Sequence, residues 1–364
     1  MQAIKRIAVN TGGGDAPGLN AVIRAVVLSS VRRGWEVYGI EKGYGALLGD
    51  GNIVHLDPRS VRGITHLGGT ILGTSNRGNP FEWPTTEPGS VAGVRDRTDE
   101  VVASFRDHGF DALIAIGGDG SLRIANGLRR KGLPVIGVPK TIDNDLGLTF
   151  VTFGFHTAVQ TASEAIDKLH STAASHERVM VVEVMGRHAG WIALHAGLSG
   201  TADVILIPEI PYSIDHVCEK VEKRYRSGSN FAIIVAAEGA TERGGEASYV
   251  EHASGGHEAR YGGVAERLAA QIGERTGRET RSIVLGHLQR GGSPTAYDRL
   301  IALRFGAAAV RCAANGEFGV MVALDPPAIR PVPLEEAIQH VRRVDPDSDT
   351  VETAREIGVS FGDR

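Results

Sequence analysis

Asp119, Asp143, Arg187, Glu238, His287 and Arg290 stand out in this 364-residue chain because each closely follows a short apolar run. The densest stretch is Asp111–Asp145. There Ala112–Ile116 halts at Gly117-Gly118-Asp119-Gly120-Ser121, and Val135–Val138 halts at Pro139-Lys140-Thr141-Ile142-Asp143-Asn144-Asp145. Such runs read as buried parallel strands, and open α/β sheets bind ligands beyond the carboxyl ends of their strands. Two of these ends side by side bring a glycine loop able to cradle phosphate and a group of carboxylates into one crevice. Phosphoryl transfer needs backbone N–H groups around phosphate, an acid to hold Mg2+, cations for developing charge and a carboxylate to accept a hydroxyl proton. Neither an activated Ser or Cys nucleophile nor a dinucleotide fingerprint with its ribose acid accompanies them.

The elements that must position these groups alternate between strand and helix. Arg6–Val9 is a strand followed by the glycine-rich Thr11–Gly18, a helix from about Leu19 to Arg33 closed by Gly34, and a strand Trp35–Ile40. That is a βαβ unit with a phosphate-binding type of loop at its first turn, lacking both the Walker lysine and the dinucleotide spacing. Residues 41–94 read as irregular and contain the polar Gly73–Pro80 loop with Arg77. Further helices are expected over Arg95–His108, His156–Ser171, Ile214–Tyr225, Val264–Arg275 and Thr295–Ala314, with a last one starting near Leu334. Strands are expected at Val179–Val184, Val204–Ile207, Phe231–Ala236, Arg281–Leu285 and Val320–Leu324. Gly239–Gly263 reads as an exposed insertion whose His252 and His257 lack a metal-ligand spacing. This alternation predicts an α/β protein with two doubly wound sheets.

Composition narrows the class. Apolar residues make up 42% and charged residues 23%, as in ordinary globular proteins, and a net charge of −4 gives no electrostatic case for nucleic acid or membrane binding. Only Cys218 and Cys312 are present, so neither a disulfide framework nor a zinc site is expected. No apolar run is long enough to span a bilayer and the start carries no signal-peptide pattern, so a cytoplasmic enzyme is expected.

Taken in order, Gly13–Asn20, Gly117–Ser121, Thr141–Asp145, Met185-Gly186-Arg187 and Gly286–Gly292 resemble the 6-phosphofructokinase family over nearly the whole chain. A lone GGDG also occurs in NAD and lipid kinases, but those have no use for the other motifs. The resemblance implies two Rossmann-like α/β/α domains: a donor domain (1–152 plus 290–338) and a sugar-phosphate domain (153–289 plus 339–364). It implies transfer from ATP to the 1-hydroxyl of fructose 6-phosphate, with Mg2+ as cofactor. Asp143 would be the base, Thr141 would bond the transferring phosphate, and Arg187 would stabilise its charge. Gly13, Arg77, Gly78, Gly118, Asp119, Gly120 and Ser121 would hold ATP, Asp119 through the metal, with alignment to Asn76 in place of Arg77 left open. Ile142, Met185, Gly186, Glu238, His287, Leu288, Gln289 and Arg290 would join Thr141, Asp143 and Arg187 around the sugar phosphate. Arg178 and Arg281 match residues that the family contributes from a neighbouring subunit. That implies at least a homodimer, with a tetramer as a further possibility.

Two departures bear on donor and regulation. Gly120 leaves room for a nucleotide where an Asp goes with pyrophosphate use, whereas Lys140 stands where the pyrophosphate-dependent branch has lysine. The steric argument favours ATP and keeps pyrophosphate as the alternative; a non-catalytic metabolite-binding paralogue is a remote third reading. Arg24 survives from the family's basic effector set, but Leu28, His170, Ser229 and Asn230 replace others. No strong response to ADP or phosphoenolpyruvate is therefore expected.

Overall fold

The structure, a computed structural model, describes residues 4–75, 78–85, 93–245, 249–251 and 260–364. Arg77, its alternative Asn76, and the insertion histidines His252 and His257 lie outside the described residues. The first sheet is built from β1 (Arg6–Thr11), β2 (Glu36–Ile40), β3 (Ile53–Leu56), β4 (Ala112–Gly117), β5 (Val135–Thr141), β10 (Val320–Asp325) and β11 (Ala328–Pro333), in the spatial order β11-β10-β5-β4-β1-β2-β3. The second contains β6 (Val179–Val184), β7 (Val204–Leu206), β8 (Ala232–Ala237) and β9 (Thr280–Val284), in the order β7-β8-β6-β9. Only the outer strands β3 and β11 run antiparallel to their neighbours, and the second sheet is parallel throughout.

Why these runs are strands is visible in their burial. Every residue of β4, β5, β6 and β8 is buried, as expected for parallel strands covered on both faces. Alternate residues feed different cores. Ile114, Ile116, Ile136 and Val138 point toward helices α1 (Leu19–Val31) and α8 (Ala296–Asn315). Leu113, Ala115 and Val135 join α2 (Thr98–Asp107) and α3 (Asp119–Arg130) on the opposite face. The first of these cores runs on through α4 (Phe155–His176) to α5 (Trp191–Ser199) and one face of the second sheet. The other face of that sheet is closed by α6 (Ile214–Arg226) and α7 (Val264–Thr276). Each fully buried Val, Ile or Leu contributes about 1.5–3 kcal/mol relative to exposure. Helices α1 and α8 cross so closely that a Cβ on Gly306 would lie 2.6 Å from the Val22 carbonyl oxygen.

Several sequence expectations need correction. The stretch 41–94 is not wholly irregular, because β3 lies within it. It is a four-residue edge strand with one buried residue, too short and too polar to display a period. The last helix does not run on from Leu334. It spans only Leu334–Ala337, and α10 (Asp349–Glu356) forms separately behind Ser348. β5 continues past Val138 to Thr141, although Pro139 argued for a stop. Its pairing with β4 ends at Gly117 opposite Pro139, and Lys140 and Thr141 pair instead with Phe153 and Gly154. Among the described residues no helix is long and apolar enough to cross a membrane.

Candidate active site

The ends of β1, β4 and β5 lie side by side, and their glycines exist because side chains would collide there. A Cβ on Gly12 would come within 2.8 Å of Ser121 Oγ, and one on Gly117 within 2.3 Å of Ser121 Cβ. Gly13 adopts φ +74°, a left-handed conformation that favours glycine. Gly118 is the N-cap of α3, whose first amides have no partner within the helix, and a Cβ on Gly13 would lie 3.1 Å from Ser121 Oγ in the first turn of that helix. Asp119 opens α3, and its carboxylate accepts from Arg123 Nε at 2.9 Å. The expected donor-site residues Gly13, Gly118, Asp119, Gly120 and Ser121 therefore sit together, and Gly78 lies on the segment that follows the undescribed 76–77.

Two cations press against this loop. Lys140, 3% exposed, donates from Nζ to the Gly14 carbonyl. Burial lowers its ammonium to about 7 and Arg290 pushes the same way, against Asp143, Asp15 and Asp145. Arg290 donates from Nη1 to the Asp15 carbonyl at 3.2 Å and lies 2.9 Å from where a Gly14 Cβ would stand. Arg290 thus reaches back across the chain onto the β1 loop, a contact its motif does not reveal.

Beyond β5 the backbone is tightly held. Asp143 N–H donates to Thr141 Oγ1 at 3.0 Å, and Thr152 Oγ1 donates to the Thr141 carbonyl at 2.7 Å. Asn144 takes φ +54°, and its Oδ1 accepts from Thr152 N–H at 3.0 Å. Asp143 is 4% exposed, and Oδ1 of both Asp143 and Asp145 is buried without a hydrogen-bond partner. A buried, unpaired carboxylate oxygen is costly, so such atoms mark places where a ligand or ion completes the bonding. Burial, followed by the neighbouring Asp143, raises Asp145 to about 7, while Arg187 opposes the shift. Ile142 turns its side chain into the core.

At the end of β6, Gly186 (φ +147°) and Arg187 (φ +51°) form a left-handed turn. Glu238, at the end of β8, clamps it by accepting from Arg187 N–H at 3.0 Å and Gly186 N–H at 3.3 Å. Burial first, then Asp143, raises Glu238 to about 7. Asp143 and Asp145 are thus electrostatic neighbours of the turn, although one sheet supplies the acids and the other Glu238 and Arg187. Met185 packs against the core beside this turn. Among the residues of the 286–292 motif, His287 is exposed and Leu288 is 70% exposed. The Gln289 side chain is fully buried and donates to the Gly286 carbonyl at 3.1 Å. Arg178 and Arg281 lie at the edge of the second sheet and share Glu279, at 2.8 and 2.6 Å.

Among the described residues no three His, Cys, Asp or Glu side chains are grouped to hold an ion by themselves. The sequence reasoning missed Arg342, which contacts the Asn144–Asp145 backbone from the C-terminal segment. No motif or periodicity marks that residue.

A family model described as phosphofructokinase matches residues 6–313. The chain is 55% identical over 359 residues, 99% of its length and 98% of the relative's, to an ATP-dependent 6-phosphofructokinase of Chloroflexus aurantiacus. It is 53% identical over 346 residues, covering 94% and 97%, to a pyrophosphate–fructose 6-phosphate 1-phosphotransferase of Amycolatopsis methanolica. Its structure resembles that of the Pichia pastoris phosphofructokinase in the T-state, with a TM-score of 0.79 and 31% identity. That match covers 98% of this chain but 37% of the yeast one.

Proposed function

The chain belongs to the phosphofructokinase family, and from that premise we propose that it transfers phosphoryl from ATP to the 1-hydroxyl of fructose 6-phosphate. The observation that carries the reading is Asp143: a buried carboxylate with an uncommitted oxygen, one strand over from the glycine loop at the head of α3. In this reading residues 1–152 with 290–338 bind the donor and 153–289 with 339–364 bind the sugar phosphate.

In this reading the residues take the following roles. The amides at the head of α3 and around Gly13 cradle the donor phosphates, and Thr141 Oγ1 turns its hydrogen toward the transferring group while still accepting from Asp143 N–H. Asp143 Oδ1 takes the proton of the acceptor hydroxyl as the new bond forms, when that proton is most acidic. Arg187, fixed by the Glu238 clamp, neutralises charge on the group in flight. His287 and Arg290 take the 6-phosphate, with Arg178 and Arg281 from a neighbouring subunit. Mg2+, held by Asp119 largely through water, would screen the donor phosphates. A pyrophosphate-using enzyme is the second reading, favoured by one observation: a buried lysine, Lys140, at the donor loop. Gly120, which leaves space for a nucleotide, weighs for ATP.

The test is purified protein with fructose 6-phosphate and Mg2+, given ATP or pyrophosphate alone. Turnover with ATP and its loss in Asp143→Asn are expected, and turnover with pyrophosphate alone would reverse the donor assignment. A weak response to ADP or phosphoenolpyruvate belongs to the same reading, because the uncharged Leu28, Ser229 and Asn230 stand where the family's effector set is basic; Asn230 donates to the Ala174 carbonyl at 3.0 Å.

A further inference from the structure

The segment 341–344 lies against the Asp143 loop and is tied to it at several points. Val341 pairs with Leu146 in an antiparallel bridge, and Arg342 N–H donates to the Asp145 carbonyl at 2.7 Å. Arg342 Nη1 donates to the Asn144 carbonyl at 3.3 Å. The guanidinium carbon stands 4.3 Å from the centre of the Trp191 ring, whose Nε1 donates back to the Arg342 carbonyl at 3.0 Å. Two residues further on, Val344 N–H donates to Glu209, which also accepts Gly190 N–H at the head of α5.

These contacts enclose a backbone under strain. Asn144 is a non-glycine residue at φ +54°, an arrangement that persists only where its surroundings impose it. Thr152 holds its side chain, and Arg342 holds its carbonyl. The residue so held, Asn144, follows directly on Asp143 in the chain. Arg342 is half-buried, and stacking on Trp191 with donation to a carbonyl offsets the cost of partly removing its charge from water.

We propose that Arg342 is a positioning residue for the reaction: by stacking on Trp191 and donating to Asn144, it fixes the direction of the Asp143 carboxylate toward the acceptor hydroxyl. The inference rests on the reading of Asp143 as the base. In this role Arg342 acts through Asn144 rather than on the substrate.

The test compares Arg342→Met, which keeps an apolar chain over Trp191 but has no donor, with Arg342→Lys, which keeps a donor. Arg342→Met should lose about ten- to a hundredfold in kcat, as expected for a misaligned group, with KM for both substrates within about twofold. Arg342→Lys should recover part of that loss. Hydrogen exchange at the amides of residues 143–146 should speed up in Arg342→Met while the rest of the protein is unchanged, a readout independent of any catalytic assignment. Wild-type kcat in Arg342→Met, a loss confined to KM, or unchanged exchange at 143–146 would each overturn the proposal. Turnover surviving Asp143→Asn would overturn the base assignment itself, and the exchange measurement would still report whether Arg342 holds the loop.

Discussion

Lys140 is the residue where burial and charge conflict most plainly. Its ammonium is buried against the Gly14 carbonyl with Arg290 nearby, and burial brings it from 10.5 to about 7. Between those values the unfolded chain holds a proton that the folded chain has released, so stability rises with pH across that window. Below about 7 the full cost of a buried ammonium acts, and above 10.5 it vanishes. Lys140→Met should therefore raise the melting temperature most at pH 6 and progressively less toward pH 10. An equal gain at both ends would show that the lysine is not depressed. The conflict also explains how much of the site was legible at this scale. Asp119, Asp143 and Arg187 could be singled out from the sequence because motif and chemistry coincide in a few consecutive residues. The reach of Arg290 onto Asp15 and of Arg342 onto Asn144 joins positions 275 and 198 residues apart, and no local pattern encodes such a meeting.

Among the elements, the buried strands were readable because each is a continuous apolar run closed by glycine or acid. β3 was not, since an edge strand of four residues buries too little to need a pattern. The end of β5 was misjudged because Pro139 removes a donor only where a partner strand still needs one, and β4 has ended by then. The join between β8 and the Gly186–Arg187 turn is set by a glycine that sequence alone leaves unexplained. A Cβ on Gly239 would fall 2.0 Å from the Arg187 carbonyl oxygen. That contact is backbone and cannot swing aside, so Gly239→Ala must push the turn away from Glu238. We expect Gly239→Ala to lose about tenfold or more in kcat, on the scale of an ångström-sized misplacement, while the secondary structure seen by circular dichroism is kept. Unchanged kinetics would show that the turn adapts without moving Arg187.

At the scale of the whole molecule, the chain places its acids and donor loop on one sheet and its acceptor turn on another, joined by the core that runs from α1 to α5. Arg178 and Arg281, gathered by Glu279 beside the second sheet, are the residues of the proposed site that a neighbouring protomer would supply. Their ion pairs hold Glu279 below the ordinary carboxylate range, with the Arg178 hydrogen bond the largest cause. Surface pairs of this kind add little stability, and in the proposed function the two cations serve an anion. If that anion is the sugar phosphate of a neighbouring protomer, a protomer with Asp143→Asn and one with Arg178→Glu and Arg281→Glu are each inactive alone. In a mixed dimer the second protomer keeps its own Asp143 and receives intact arginines from the first, so one of the two sites is whole. Random mixing of dimers then restores about a quarter of the activity of the unaltered protein, counting half the dimers as mixed and half their sites as complete. Co-refolding the two variants in equal amounts and assaying against each alone checks this. Activity no higher than the sum of the separate variants would mean that both arginines serve their own chain, and the site would have to be redrawn within one protomer.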